Sequence, residues 1–578
     1  MSWSNGNDRP DGEYRHGYGR FDPHRVGPVA SQRPVSPAAK RAGDVLLLGS
    51  LAAVLAGCAT VWLAAGIGGL LGHGRWPRGL GLTAAAMAVP RLIRHPGQPG
   101  LAFPVEARPL LPGAGLFWGL VVCVALFWVL TAFVVTRWRA QRRALLTGLD
   151  GTAGASGYLS GPAVVHRART LRPALAGRKV TPREAGLLLG HAGGGRGFAV
   201  YGGVDDAYCA LGPARSGKAD GLLLPAVLEA PGPVLVVTDR TELLGPAAAY
   251  RSQLGPVTVF DPYHRVDIDL LGADQASDRP GRLRWSPTHG CTDPAVATRR
   301  AAALAGPGAS PETHLVLRCH LHALALDGRP IRQALTWAAN PAHPEPVRLL
   351  REHPGAAEGW AEQLARAGDD RASWDRVRQA LGSLDSASVA QACSPGQGGH
   401  AGLARQLTGR STLYLVGGGD GPESVAPLLA ALAEEALHTV RVGGQLDPPL
   451  TVVLDDPAGC APLPGLPELM ATGPGAGLVP VVGLRSLAAA RSVWGEAGAA
   501  ALWDAATLRL VFGGVADPYD LERVRALAPD VDPHGLRPGQ ALLLHRSVQP
   551  LVVRLLDWRR RDYPATDGSR GRVRLARG

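Results

Sequence analysis

The sequence predicts an α/β domain with a mostly parallel sheet, interrupted by an inserted all-α domain and preceded by a two-helix transmembrane hairpin. Three observations predict this arrangement. Two long uncharged apolar runs lie near the N-terminus, short apolar runs alternate with Ala/Leu/Arg-rich helical stretches after residue 146, and the block 292–395 has helical spacing with few β-branched runs. Strands that alternate with helices are typical of a parallel sheet covered by helices.

The two apolar runs, residues 45–72 and 109–136, are each longer than the ~20 residues that cross a bilayer. Residues 1–43 are rich in Gly, Pro, Ser, Asp and Arg and predict a disordered cytoplasmic tail, which is too long for the start of a secretory signal peptide. Basic residues are more frequent outside the hairpin than in the loop between its spans. This bias predicts an extracytoplasmic loop within 44–137, and a cytoplasmic body with both termini on the same side.

The rest of the chain divides by its spacing patterns. The α/β domain is expected to occupy 138–291 and 396–557, with the all-α domain inserted at 292–395 and a basic, solvated tail at 558–578. Candidate strands are 207–212, 233–239, 256–261, 412–417, 450–456, 478–484 and 508–514, with a closing pair at 540–546 and 549–556.

Composition narrows the function classes. The chain has 578 residues, a net charge of +12 and seven cysteines without a C-x-x-C pair, which argues against a zinc ribbon or a disulfide framework. Only Lys40, Lys179 and Lys218 are lysines, so a lysine inside a motif is informative. The basic balance allows nucleic acid or anionic lipid as a partner, and it is equally compatible with a simple arginine-rich composition.

One of these lysines ends a G-x-x-x-x-G-K motif. The motif consists of Gly212, Pro213, Ala214, Arg215, Ser216, Gly217 and Lys218. In this pattern glycines let backbone N–H groups surround phosphates at a helix N-terminus, and the lysine reaches the outer phosphates. A candidate strand precedes the motif and a helical stretch follows it, so the motif predicts nucleotide binding. A glycine-rich turn with a solvated lysine is the alternative.

Two further positions bear on a metal ion. The residue after the lysine is Ala219, where a Ser or Thr hydroxyl normally binds Mg²⁺, and a methyl group cannot coordinate a cation. Asp220 follows it. The strand at 450–456 ends in Asp455 and Asp456, where one acid can bind the metal and its neighbour can orient the attacking water. Two aspartates that cap a loop are the alternative interpretation.

Several stretches together resemble a known family. The segments "GPARSGKADGLLLPAVLEAPGPVLVVTDRTELL", "STLYLVGGGDGPESVAPLLAALAEEAL" and above all residues 455–514 are similar to the type IV secretion coupling proteins, the TraD/TraG-like conjugative DNA transfer ATPases. The resemblance covers roughly residues 110–557. It implies a RecA-like P-loop NTPase fold, ATP and Mg²⁺ as cofactors, a substrate-recognising helical domain, and a hexamer at the inner membrane.

The same resemblance assigns roles to residues and reveals departures from the family pattern. It gives nucleotide binding to 212–219, metal binding to Asp455, and catalytic positions to Asp456 and Arg485. The family usually has Thr at 219, Glu at 456 and Gln at 485, so this chain loses a metal ligand, shortens a carboxylate and replaces a neutral side chain. Mg²⁺ binding is therefore in doubt because of Ala219. Each change is expected to slow hydrolysis by ~10²-fold or more.

Three hypotheses follow. The leading one is a membrane-anchored coupling protein of a conjugation or type IV secretion-like system, which uses ATP to deliver single-stranded DNA or relaxase-like proteins to channel components. Membrane lipids and further copies of the chain would be its other partners. The alternative is a catalytically inactive pseudo-ATPase that acts as a scaffold or nucleotide sensor. A double-stranded DNA pump of the septal type is disfavoured because the tail is too short for a C-terminal winged-helix reader.

Overall fold

A computed structural model describes residues 37–193, 197–267, 281–367, 370–394, 403–564 and 572–573. The chain forms two compact units, Met1–Arg143 and Ala144–Gly578. Most of the tail predicted at 1–43, and residues 565–571 and 574–578 of the predicted C-terminal tail, lie outside the described residues.

The N-terminal unit contains the two predicted spans as helices. They lie in α1 (Pro37–His73) and in α3 (Ala114–Leu159), whose last residues belong to the second unit. The segments Leu55–His73 and Ala114–Val135 are long and apolar enough to cross a membrane. Helix α1 begins inside the stretch predicted to be disordered, because Pro at the first position and the alanines after it favour a helix start. Helix α3 begins later than the predicted 109, because Leu111 before Pro112 is extended.

The segment between the two spans is partly helical, which the sequence analysis did not predict. Helix α2 (Leu82–Arg94) buries Ala85, Ala88 and Leu92, which lie on one face of the helix. Ala88 and Leu92 belong to a small apolar core that also includes Phe103 and Phe117. The segment between the two spans is therefore folded around a small apolar core.

The second unit contains the remaining elements. Its strands are β1 (Gly186–Ala192), β2 (Phe198–Gly203), β3 (Tyr208–Leu211), β4 (Val234–Thr238), β5 (Val257–Phe260), β6 (Gly281–Arg282), β7 (Thr412–Val416), β8 (Leu450–Asp455), β9 (Leu478–Leu484), β10 (Leu508–Phe512), β11 (Gln540–His545), β12 (Val548–Leu555), β13 (Tyr563–Pro564) and β14 (Arg572–Val573). Its helices are α4 (Gly161–Leu171), α5 (Pro182–Ala185), α6 (Leu224–Leu228), α7 (Gly245–Ser252), α8 (Pro294–Ala305), α9 (Pro311–Leu326), α10 (Gln333–Ala339), α11 (Glu345–Glu352), α12 (Trp360–Ala365), α13 (Arg371–Leu381), α14 (Ala387–Ala392), α15 (Ala426–Val442), α16 (Pro457–Cys460), α17 (Leu466–Thr472), α18 (Leu487–Ala505) and α19 (Pro518–Leu527).

Twelve strands form one sheet in the order β2-β1-β12-β11-β10-β3-β9-β8-β4-β7-β5-β6. The pairs from β10 to β6 are parallel, whereas β10, β11, β12, β1 and β2 pair antiparallel in turn. Every predicted strand is present. Strands β1, β2, β6, β13 and β14 were not predicted. The β1 sequence GLLLGHA lacks the β-branched residues that mark a strand.

The strand order and directions confirm the predicted α/β class with a mostly parallel sheet. Strand β9 separates β3, which leads into the G-x-x-x-x-G-K motif, from β8, which ends in Asp455. All of these strands are parallel, and ligands of such sheets bind beyond the carboxyl ends of the strands. The topology therefore brings the motif and the acidic pair to one edge of the sheet.

The described residues between β6 and β7 form helices α8 to α14 and contain no strand. This helical block shares its apolar core with the sheet. A polar contact reinforces the junction, because the Glu435 carboxylate on α15 accepts hydrogen bonds from Trp285 Nε1 at 2.7 Å and from Arg300 Nη2 at 2.5 Å. The block is thus part of the body rather than a loosely attached module.

The stretch at the start of the predicted basic tail is packed rather than solvated. Trp558, Arg561 and Tyr563 are buried. Arg561 donates to the Leu188 carbonyl at 2.6 Å and to Glu229 Oε1 at 3.1 Å. A basic composition suggested solvent exposure, but a buried arginine is stable where a carboxylate and carbonyl groups satisfy its donors. This corrects the interpretation of 558–563.

Candidate functional site

The loop from 212 to 218 connects β3 to a helical turn, as the motif predicts. Gly217 has φ +95°, a conformation that favours glycine, and Arg215 lies in the left-handed region with φ +61°. The Gly212 N–H donates to the Leu484 carbonyl at the end of β9, at 3.1 Å. The loop therefore has a tight curved backbone that is fixed to the neighbouring strand.

Lys218 is buried inside this loop, with 7% of its surface exposed. Its ammonium group donates to the carbonyls of Gly212 and of Pro213, the latter at 2.8 Å. Burial lowers the pKa of Lys218 to about 8, although the nearby Asp455 carboxylate opposes that change. The lysine is thus a poorly solvated cation, the kind of group that gains most from an anionic ligand.

Asp455 ends strand β8 and is paired with an arginine. Its Oδ2 accepts from Arg240 Nε at 2.7 Å, from Arg240 Nη2 at 2.5 Å, and from Thr238 Oγ1 at 3.1 Å. Thr238 ends β4, the strand beside β8, and Arg240 follows two residues later. Asp455 therefore directs its carboxylate to a guanidinium group.

Asp456 is paired in the same way. It has left-handed backbone angles, φ 55° and ψ 58°, at the start of α16, and its Oδ2 lies 2.5 Å from Arg485 Nε. Arg485 directly follows β9. Burial raises the pKa of Asp456, although the Arg485 charge opposes that change. The two residues given catalytic positions by resemblance thus form an ion pair with each other.

Asp220, the acid beside Ala219, is held by the C-terminal segment. Its Oδ1 accepts from Trp558 Nε1 at 3.0 Å and from Arg559 Nη1 at 2.9 Å. The helix after the loop opens with a π-helical turn, Ala219–Leu223, before α6. The side chain of Asp220 therefore already has two hydrogen-bond partners, which it would have to share with a metal ion in order to replace the ligand missing at position 219.

These groups surround one cavity of about 1210 Å³. Its lining includes residues 214–220, 239–243, Asp455, Asp456, Arg485, Trp558 and Arg559. Gly212 and Pro213 are absent from the lining, and their carbonyls face the buried lysine instead. The volume exceeds the ~300–1,000 Å³ typical of small-molecule sites, so a nucleotide fits.

The residues at this cavity do not fit Mg²⁺. Mg²⁺ requires octahedral oxygen ligands, whereas position 219 offers a methyl group, Asp220 and Asp455 accept hydrogen bonds from arginines, and Asp456 forms an ion pair with Arg485. Within the part of the chain that the structure describes, no group of three His, Cys, Asp or Glu side chains is placed to hold a metal. The metal-binding role of Asp455 stays a prediction.

Sequence reasoning missed Thr238, Arg240, Trp558 and Arg559. A signal for the first two was present in "PVLVVTDR", because polar residues after a parallel strand reach the same edge as the ends of its neighbours. For Trp558 and Arg559 no such signal existed, since the basic stretch around them is typical of a solvated tail.

An acid just before β3 braces the strand that carries the loop. Asp206 is fully buried, and its carboxylate accepts from the Gly203 N–H at 2.8 Å, Thr507 Oγ1 at 2.9 Å and His545 Nε2 at 3.3 Å. Burial raises the pKa of Asp206, but these hydrogen bonds, with that from His545 the largest, outweigh burial and hold the pKa below its ordinary value. The contacts connect the start of β3 to β10 and β11.

We expect Asp206→Asn to lower the free energy of unfolding by about 2 kcal/mol at pH 7, because an amide has only one oxygen for these donors. A carboxylate with a depressed native pKa stabilises the fold above its unfolded pKa of about 4 and loses that effect as pH falls through the native pKa. Urea unfolding from pH 7 to pH 3 should therefore show the difference between wild type and variant shrinking. A difference that does not change with pH would contradict this.

Residues 449–528 match the family model described as "TraM recognition site of TraD and TraG". We call residues 449–528 the TraD/TraG segment. The TraD/TraG segment includes Asp455, Asp456, β9 and Arg485, so it supplies one wall of the cavity. The match confirms the resemblance over these residues. No curated protein matches the chain.

Solved structures also resemble the chain. The bacterial conjugative coupling protein TrwBdeltaN70 in its unbound form has 15% identity and TM-score 0.47, and the plasmid coupling protein TrwB with ADP and Mg²⁺ has 17% identity and TM-score 0.48. Each match covers 69% of this chain and 92% of that structure. VirB4 of Thermoanaerobacter pseudethanolicus has 13% identity and TM-score 0.37, with coverage of 64% and 96%.

Proposed function

We propose that this chain is a membrane-anchored coupling protein of a conjugation or type IV secretion-like system. It recruits DNA or protein substrates and delivers them to a transmembrane channel using ATP. The observation that carries the proposal is that the TraD/TraG segment and the G-x-x-x-x-G-K loop line the same cavity.

The chain's own residues suggest how nucleotide binding reaches the rest of the body. Phosphates would accept hydrogen bonds from the loop N–H groups at the helix start, and the Lys218 ammonium would turn from the loop carbonyls to them. Arg485 and Asp456 stand where β9 and β8 end, next to α18 and α16. A change in their ion pair on binding would therefore move the segments that follow both strands.

The two apolar helices support a membrane anchor. The exposed large side chains of α3, such as Leu126, Phe127 and Leu130, suit contact with lipid. We propose a two-pass protein of the cytoplasmic membrane, with its body and both termini in the cytoplasm and the α2 segment on the opposite side, where it would meet channel components.

The parts of the chain that receive substrates are proposed from its similarity to the TraD/TraG family. The family description of the TraD/TraG segment names TraM recognition for TraD and TraG. We propose that this segment and the helical block α8 to α14 receive relaxase-like proteins, and that a homo-hexamer encloses single-stranded DNA. The alternative, an inactive pseudo-ATPase scaffold, is not favoured by the TraD/TraG match.

The test uses the full chain in lipid nanodiscs. We expect hexamers that bind single-stranded DNA more tightly than a duplex of equal length, with affinity that falls steeply as salt rises because bound cations are released from the backbone. ATP hydrolysis should exceed that of Lys218→Ala and rise with single-stranded DNA. A monomer that ignores DNA at low salt would refute the proposal.

A further inference from the structure

Arginines pair with Asp220, Asp455 and Asp456, three of the five acids that line this cavity. Arg240 holds Asp455 and Arg485 holds Asp456, each through an N–O distance of 2.5 Å, and Arg559 holds Asp220 at 2.9 Å. Asp220 is the acid beside the lysine loop, and Asp455 and Asp456 are the acids that the resemblance assigns to metal binding and catalysis. Each acid that the sequence analysis considered for a metal site is therefore paired with an arginine.

The arginines at Asp455 and Asp456 are open to the cavity as well as paired. The Arg240 side chain is 39% exposed and that of Arg485 is 57% exposed, and both line the cavity. A guanidinium has five N–H donors, so a group that gives one or two to a carboxylate keeps others for a second anion. Its planar fork matches phosphate oxygens.

A metal ion bound to a triphosphate neutralises its negative charge and holds its oxygens in place. Here the groups able to do this are fixed cations, because the side chain at position 219 has no oxygen and Asp455 Oδ2 already accepts hydrogen bonds from Arg240 and Thr238. For Mg²⁺ to bind at Asp455 Oδ2, the carboxylate would have to exchange its ion pair with Arg240 for the metal, and the freed Arg240 would face the metal as a like charge.

We propose that this site binds a nucleoside triphosphate without a divalent cation, and that Arg240 and Arg485 contact the phosphates in the place of the metal. The inference rests on the proposed nucleotide-binding function. It concerns binding, so it can be tested whether or not the chain hydrolyses ATP.

The experiment measures ATP binding to the full chain in detergent by isothermal titration calorimetry, once with excess Mg²⁺ and once with EDTA. We expect the two Kd values to differ by less than about threefold. Thermal unfolding gives a second readout, because a ligand that binds only the folded state raises Tm, and ATP with EDTA should raise it as much as ATP with Mg²⁺.

The variant Arg240→Gln removes the cation next to Asp455. We expect it to weaken ATP binding about tenfold in EDTA, because the phosphates lose a charged donor. Arg282→Gln is the matched control. Arg282 is 36% exposed and pairs with the buried Asp261 at 3.4 Å, yet it does not line the cavity. This control should lose a comparable ion pair and keep wild-type ATP binding.

Each result decides a different point. Wild-type binding that is tenfold or more weaker in EDTA than in Mg²⁺ overturns the inference and leaves nucleotide binding intact. Equal loss in Arg240→Gln and Arg282→Gln also overturns it, since the effect would then be structural. No ATP binding in either buffer overturns the proposed function together with the inference.

Discussion

Lys218→Ala is expected to weaken ATP binding by about 10²- to 10³-fold, which corresponds to about 3–4 kcal/mol. The Lys218 ammonium is buried, and it donates to uncharged groups of the loop, the carbonyls of Gly212 and Pro213 and the Ser216 hydroxyl. A triphosphate offers it charged acceptors instead, and hydrogen bonds between ionised partners are about twice as strong as neutral ones. A methyl group in its place offers the phosphates nothing.

The scarcity of lysine in this chain provides a matched control. Lys179 is exposed and lies in the stretch before α5, away from the cavity lining. Lys179→Ala removes the same charge and should bind ATP like the wild type. Calorimetry on both variants, with circular dichroism to confirm folding, separates a local effect from a change of net charge. Equal binding by Lys218→Ala and wild type would show that the loop is not a phosphate site.

The sequence predicts well which residues meet at the carboxyl edge of the sheet, because the residues that follow parallel strands lie at the same edge. Strands that are buried on both faces read as continuous apolar runs, so β3, β8 and β9 are visible in the letters alone. Once these strands are parallel, the residues after them must share one edge. The loop, Asp455, Asp456 and Arg485 therefore meet in space although more than two hundred positions separate the loop from the acids.

What could not be predicted is how the charged groups pair. The residues that bind the acids come from three distant places, after β4, after β9 and after β12. An arginine-rich sequence offers many candidates for each acid, and spacing along the chain does not choose among them. Only the packing of the C-terminal segment against the helix after the loop brings Arg559 to Asp220.

A second limit concerns elements that tertiary contacts stabilise. Helix α2 lies in a loop between apolar runs and contains Pro90, so its local sequence gives a weak helix signal, and its buried face packs against Phe103 and Phe117. Strand β1 is rich in Leu and Gly and is paired on both sides, with β2 and β12. In both cases long-range packing overrides weak local preference.

The triple variant Ala219→Thr, Asp456→Glu, Arg485→Gln is expected to hydrolyse ATP about 10²-fold faster than the wild type or more, and to require Mg²⁺ for that gain. The threonine hydroxyl restores the oxygen that position 219 lacks. The longer glutamate reaches further towards the phosphates, and loss of the arginine frees it from the ion pair at 2.5 Å. Each single change leaves the other two defects in place. The product of the three single-variant gains in rate should therefore be much smaller than the gain of the triple variant.

Steady-state phosphate release from the full chain in nanodiscs measures this gain, and adding Lys218→Ala to the triple variant should return the rate to background. Adding Arg240→Gln instead should raise the rate again, because Asp455 then loses the guanidinium that occupies its Oδ2. A triple variant no faster than the wild type, with ATP still bound, would mean that the three positions do not limit hydrolysis. The pairing of Asp455 with Arg240 would then be the remaining structural cause of slow hydrolysis. A comparison of the rates of the triple and quadruple variants measures its effect.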